Sequence, residues 1–131
     1  MKNWINLLLS MILLVALSGC GRSAAYLLPP QIWNNTEFLV EIRPGAPRKG
    51  MNEFVVISTQ TDGVPGYEYI ITIKTDSSDK SSQMIQDGHS GVYRRALEIK
   101  DPANETLIVQ IVHGKDTDLK TELFYPLSKH L

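Results

Sequence analysis

Val92-Tyr93-Arg94-Arg95-Ala96-Leu97-Glu98-Ile99 is the stretch whose reading decides the fold. Tyr93, Leu97 and Ile99 fall on one side of an extended chain, and Arg94, Ala96 and Glu98 on the other, because successive side chains of a strand point to opposite faces. Asp101-Pro102-Ala103-Asn104 turns the chain after it, and Thr106–His113 follows with Leu107-Ile108-Val109-Gln110-Ile111-Val112. Leu119–Tyr125 is the last such run before Pro126. Upstream come Gln83–Gln86, then Tyr67–Thr75, Glu53–Gln60 and Phe38–Arg43. Between them lie Asp76–Ser82, Asp62-Gly63-Val64-Pro65-Gly66 and Pro44–Gly50, where Gly and Pro mark loops.

These are seven candidate strands, rich in Val, Ile, Thr and Tyr. No window sustains an apolar helical period over three turns. The expected fold is all-β: an immunoglobulin-like antiparallel sandwich of about seven strands over residues 37–131, with a small barrel as the alternative. The core must carry the stability, since the chain has one cysteine and no internal disulfide.

The chain has 131 residues, room for one domain. Lys and Arg number 13 and Asp and Glu 14, a balance with no basic footprint for nucleic acid. A hydrophobic share of 43% argues against a disordered chain.

The amino terminus reads as an address. Lys2 precedes the largely apolar Ile5–Leu17, and small residues follow. Thirteen residues of helix would rise about 20 Å, short of a hydrocarbon core of roughly 30 Å. Leu17-Ser18-Gly19-Cys20 resembles the bacterial lipobox, in which the cysteine becomes the first residue of the mature protein. The resemblance implies a signal peptide over 1–19 and a diacylglycerol on Cys20, with acylation (palmitate or a similar chain) of the new amino terminus. Two or more chains hold a protein stably on a membrane where one does not. Gly21 rather than aspartate follows, which favours the outer membrane. Residues 20–36, with Pro29-Pro30, read as a tether, with Leu27, Leu28 and Trp33 docking on the domain's surface.

The domain resembles the YtkA-like group of small secreted β-sandwiches, related in style to FixH-like and CopC-like modules. The likeness rests on Gly50-Met51-Asn52-Glu53-Phe54-Val55-Val56, Asp62-Gly63-Val64-Pro65-Gly66, Gly91-Val92-Tyr93 and Leu107-Ile108-Val109-Gln110-Ile111. It implies a strand opened by Gly-x-Asn, an Asp-Gly-x-Pro turn and a later strand begun by Gly-x-Tyr. Members often carry a methionine-rich segment for copper. Here that region holds Met84 and His89 alone.

Soft thioether and imidazole ligands suit copper. Met84 and His89, joined by His113, are the candidate set, against a reading of Met84 as core and His89 as loop. Asp87, His89 and Ser90 suggest acyl transfer, but no nucleophile elbow is present and a turn is the simpler reading. Arg43, Arg48 and Lys49 form either a solvated loop or a basic rim for anionic lipid or glycan. Tyr26, Trp33, Tyr67, Tyr69, Tyr93 and Tyr125 either fill the core or make a recognition face. Asn34-Asn35-Thr36 and Asn104-Glu105-Thr106 fit the glycosylation pattern and read as turns. His130 reads as an exposed residue of a frayed end.

The expectation is a non-catalytic envelope lipoprotein that binds an envelope protein through sheet edges and end loops, without a cofactor. Copper handling through Met84, His89 and His113 is the alternative.

Overall fold

The computed structural model describes residues 25–130. Ten strands follow in order: β1 (Tyr26–Leu27), β2 (Gln31–Trp33), β3 (Thr36–Arg43), β4 (Gly50–Gln60), β5 (Tyr69–Thr75), β6 (Ser82–Gln83), β7 (Ile85–Gln86), β8 (Val92–Ile99), β9 (Thr106–His113) and β10 (Lys120–Pro126). A 3₁₀ turn, Leu127–His130, ends the span. One sheet runs β1-β3-β4-β8-β7, with β2 also on β3, and the other β10-β9-β5-β6. The order β3-β4-β8-β7 facing β10-β9-β5 is that of an immunoglobulin-type sandwich. All pairings are antiparallel. The expected all-β sandwich is the fold of this chain.

Alternation builds the core. Phe38, Val40 and Ile42 of β3, Phe54 and Val56 of β4, and Tyr93 and Ile99 of β8 are buried from one sheet. Ile71 and Ile73, Leu107, Val109 and Ile111, and Leu123 and Tyr125 meet them from the other. Val55 is also buried, on the outer face, where its register neighbours are Glu41 and Arg94. Arg95 shares the inner side of β8 with Tyr93 and Leu97 yet is exposed.

Two sequence expectations change. Gln83–Gln86 is two strands in different sheets: Gln83 lies opposite Thr72 of β5, and Ile85 opposite Arg94 of β8. Met84 is the crossing point, its N–H bonded to Ile71 O at 2.8 Å and its side chain buried. The chain thereby closes one side of the sandwich.

Residues 26–36, expected as tether, belong to the sheet. From Tyr26 opposite Ile42 to Gln31 opposite Phe38 there are five steps on one strand and four on its partner. Pro29-Pro30 supplies the extra residue, a bulge at a sheet edge where prolines lose no ladder bond. The bulge flips the parity, so Leu28 before it is fully buried and Trp33 after it packs on Phe38 and Tyr69. Leu27 stays exposed. Asn34 and Asn35, at φ 49° and 54°, make the two-residue turn between β2 and β3, with both residues in the left-handed region as such hairpins require.

Candidate functional site

The motif residues of the sequence reading turn out to be fasteners. Asn52 is buried; its Nδ2 donates to Arg48 O at 2.7 Å and Gly50 O at 3.0 Å, and its Oδ1 accepts from Arg48 N at 3.1 Å. One side chain thus closes the Pro44–Gly50 loop. At the other end of the sandwich, Ser58 Oγ donates to Gly66 O at 2.5 Å, and Tyr93 Oη donates to the same carbonyl at 2.9 Å. Ser58 N bonds Gly91 O, and Gly66 N bonds Ser58 O. A Cβ on Gly91 would meet Ser58 O at 2.7 Å, and one on Gly66 would meet Ser58 Oγ at 2.7 Å. Glycine is required at both positions by close approach. The Asp-Gly-x-Pro-Gly turn and the Gly-x-Tyr step therefore meet in one buried knot.

Each of the copper candidates has neighbours of its own. Met84 is core. His89 lies on the 87–91 loop with its ring edge-on to Tyr67, centroids 5.5 Å apart. His113, at the end of β9, sets its ring edge-on to Tyr69, and its Nε2 lies 3.4 Å from Glu68 Oε2. Its Nδ1 accepts from Lys115 N and Asp116 N, both at 3.3 Å. Among the described residues no group of three His, Cys, Asp or Glu is placed to hold a metal ion. Ser90 Oγ donates to Asp87 O at 2.6 Å and accepts from Val92 N, which is a turn's bonding rather than a nucleophile's. Cys20 lies outside the described residues.

Sequence reasoning missed two carboxylates. Glu105 is buried; its Oε1 accepts from Ser77 Oγ at 2.8 Å, Lys100 N at 3.1 Å and Asp101 N at 3.2 Å. The polar run Asn104-Glu105-Thr106 gave no hint of an inward side chain, but the i, i+2 spacing to Leu107 and Val109 did. Glu68 joins the 61–68 and 114–119 loops. Its Oε1 accepts from Lys115 Nζ at 2.6 Å, and this bond first of all, then the Lys115 and His113 charges, pulls its pKa below the ordinary carboxylate value against a partial desolvation. The same bond raises the Lys115 pKa.

The remaining feature is an open stretch of β8. Ser58 N donates to Gly91 O on the β4 side, and Asp87 N to Val92 O on the β7 side. The register is unbroken. Backbone groups of alternate residues point the same way, so even-numbered residues of β8 face away from β4. β7 covers only Tyr93 and Arg94. Among the described residues, the N–H and C=O of Ala96 and Glu98 therefore face an open edge. Beside it, a cleft of about 550 Å³ opens between the sheets, lined by Met51, Thr75, Ser77, Lys80, Leu97 and Lys100 among others. β10 is also an edge, but Lys120 and Glu122 line it and Gln31 Nε2 caps Phe124 O at 3.1 Å. Charges and caps of that kind protect an edge from pairing. The short β7 and the proline bulge guard two more.

No helix among the described residues is long and apolar enough to cross a membrane. Compared with family models, with curated proteins and with solved structures, the chain matched nothing.

Proposed function

We propose that this chain is a bacterial envelope lipoprotein, held by lipid on Cys20, whose sandwich binds a protein partner without catalysis. The partner supplies an extended segment that adds as a strand along Ala96–Glu98. The observation that carries this reading is the pair of backbone faces at Ala96 and Glu98, unpaired among the described residues, above a cleft of about 550 Å³. Strand addition draws affinity from main-chain bonds and specificity from pockets for alternate side chains, and the cleft supplies such a pocket next to Leu97. The motifs that carry the YtkA-like resemblance serve the fold, so that likeness supports a shared scaffold and lends nothing to copper handling here.

A photo-crosslinking residue at position 98, and separately at 122 on the guarded β10 edge, tests it in the native membrane. One protein species is expected through 98 and none through 122. Ala96→Pro removes the outward N–H while sparing the β4 ladder, so it should abolish the adduct with an unchanged melting curve. The same adduct from both positions, or its survival in Ala96→Pro, would sink the strand-addition reading. The mass of the amino-terminal peptide tests the anchor: a diacylglycerol adduct beginning at Cys20 is expected.

A further inference from the structure

We propose that the strand added along Ala96–Glu98 is the free carboxyl terminus of the partner, with an apolar last residue. The proposal rests on the strand-addition reading and names the kind of segment that fits it. Ile85 lies opposite Arg94 and Gln86 opposite Tyr93, so the next position of that register sets Met84 against Arg95. Met84 fills the place with its own backbone as it crosses to the other sheet, where its N–H bonds Ile71 O. A segment antiparallel to β8 runs in the direction of β7 and heads at Met84 and Ile85. It has room opposite Glu98, Leu97 and Ala96, and there it must end or turn out of the sheet. Alternate opposed residues of an antiparallel pair exchange both backbone bonds. A last residue opposite Ala96 thus donates its N–H to Ala96 O and takes Ala96 N–H on its carboxylate.

The surroundings of that stopping point suit a carboxyl end. Arg95 is exposed and makes no ion pair among the described residues. Its neighbour Arg94 is held by Asp87 at 2.7 Å and lies 3.8 Å from Glu53. A guanidinium and a carboxylate join through two parallel bonds, and a free carboxyl terminus is a known handle for recognition. A segment laid the other way would bring an ammonium group to the same two arginines. The last side chain shares the outer face with Ala96. There the exposed Ile85 and Met51 flank Ala96 around a hollow of about 540 Å³, which Arg95 also lines. An apolar side chain covers that surface, and Glu53 on its wall repels an acidic one. The residue before it, opposite Leu97, points into the cleft between the sheets, where Lys80 and Lys100 stand with Asp79 and Glu98. Bases and acids balance in that cleft, and Glu53 balances Arg95 from the other face of the sheet. No long-range field therefore selects the partner. Contact does, because only a chain that ends opposite Ala96 sets a carboxylate beside Arg95.

The test presents the full chain, purified in detergent, with two libraries of random peptides. One library ends in a free carboxyl group, and the other carries the same random residues followed by a fixed Gly-Ser tail. Enrichment is expected from the first alone, with apolar last residues. The tightest selected peptide is then made as the acid and as the carboxyl amide. The amide should bind about tenfold more weakly, and Arg95→Gln should weaken the acid by about the same factor while melting like the parent. In Arg95→Gln the acid and the amide should bind alike, which a general loss of fit would not produce. Equal enrichment from both libraries, equal binding of acid and amide by the parent chain, or no enrichment at all overturns the carboxyl-terminus proposal. The first two of these outcomes leave strand addition standing if Ala96→Pro abolishes the binding. Unchanged binding by Ala96→Pro overturns the strand-addition reading and this proposal with it.

Discussion

Tyr93 and Tyr125 show how one hydroxyl is a fastener and another a burden. Tyr93 Oη donates to Gly66 O and accepts from Tyr69 N at 3.3 Å, so Tyr93→Phe strands a buried N–H. A loss of about 1–3 kcal/mol in denaturant unfolding is expected. Gly91→Ala must shift Ser58 O at φ 72° and should cost about 1–3 kcal/mol or more, whereas Gly45→Ala, with open space and ordinary φ, should be near neutral. Tyr125 Oη is buried with no partner. Tyr125→Phe is therefore expected to leave stability unchanged or slightly higher below pH 10. Burial pushes the Tyr125 pKa up to about 12. A folded value raised above the ordinary 10 means stability is full below pH 10 and falls as pH climbs from 10 to about 12. Burial also raises the Tyr93 pKa, so phenolate absorbance should show a late alkaline step from which Tyr125→Phe removes one tyrosine and its share of the loss.

At the level of elements, the sheet crossing at Met84 and the bulge at Pro29-Pro30 carry the architecture. Met84→Ala opens a cavity at the closed side of the sandwich and should cost about 2–5 kcal/mol, while Met84→Leu, which conserves volume, should stay below about 1.5 kcal/mol. Deleting one of the two prolines restores equal step counts and reverses the parity of residues on one side of it. Either Leu28 or Trp33 then leaves the core, so the deletion should lower the melting temperature by more than Pro30→Ala, which keeps the count. These elements were half legible. Six of the seven runs each hold one strand, and Val92–Ile99 and Thr106–His113 span the expected residues. The split of Gln83–Gln86 was hidden, because four residues carry no mark of which sheet each pair joins. The strand character of 26–33 was hidden because prolines read as breakers when their place at an edge is unknown.

On the scale of the whole molecule, the Glu68, Lys115 and His113 contacts tie two loops at the end opposite the chain entry. Glu68 has a lowered pKa, so its contribution is present above the ordinary 4.5 and is lost as pH falls through the lower folded value. Glu68→Gln should flatten the acid limb of the melting curve below pH 4.5 and shift it little at pH 7, since the pair is exposed and solvent screens it. Its counterpart Lys115 has a raised pKa and loses its share only in strong alkali.

By itself the sequence determined the all-β class, because period-two alternation can bury one face only in an extended chain. Spatial neighbours were decided by the tertiary structure. Ser58, Gly66, Gly91 and Tyr93 are scattered along the chain and become one knot through the ladder of β4 and β8. Met84, His89 and His113 looked like a ligand set in one dimension and have separate neighbours in three. The open edge at Ala96–Glu98 exists because β6 departs to the other sheet, a choice set by which backbone groups find partners across both layers at once.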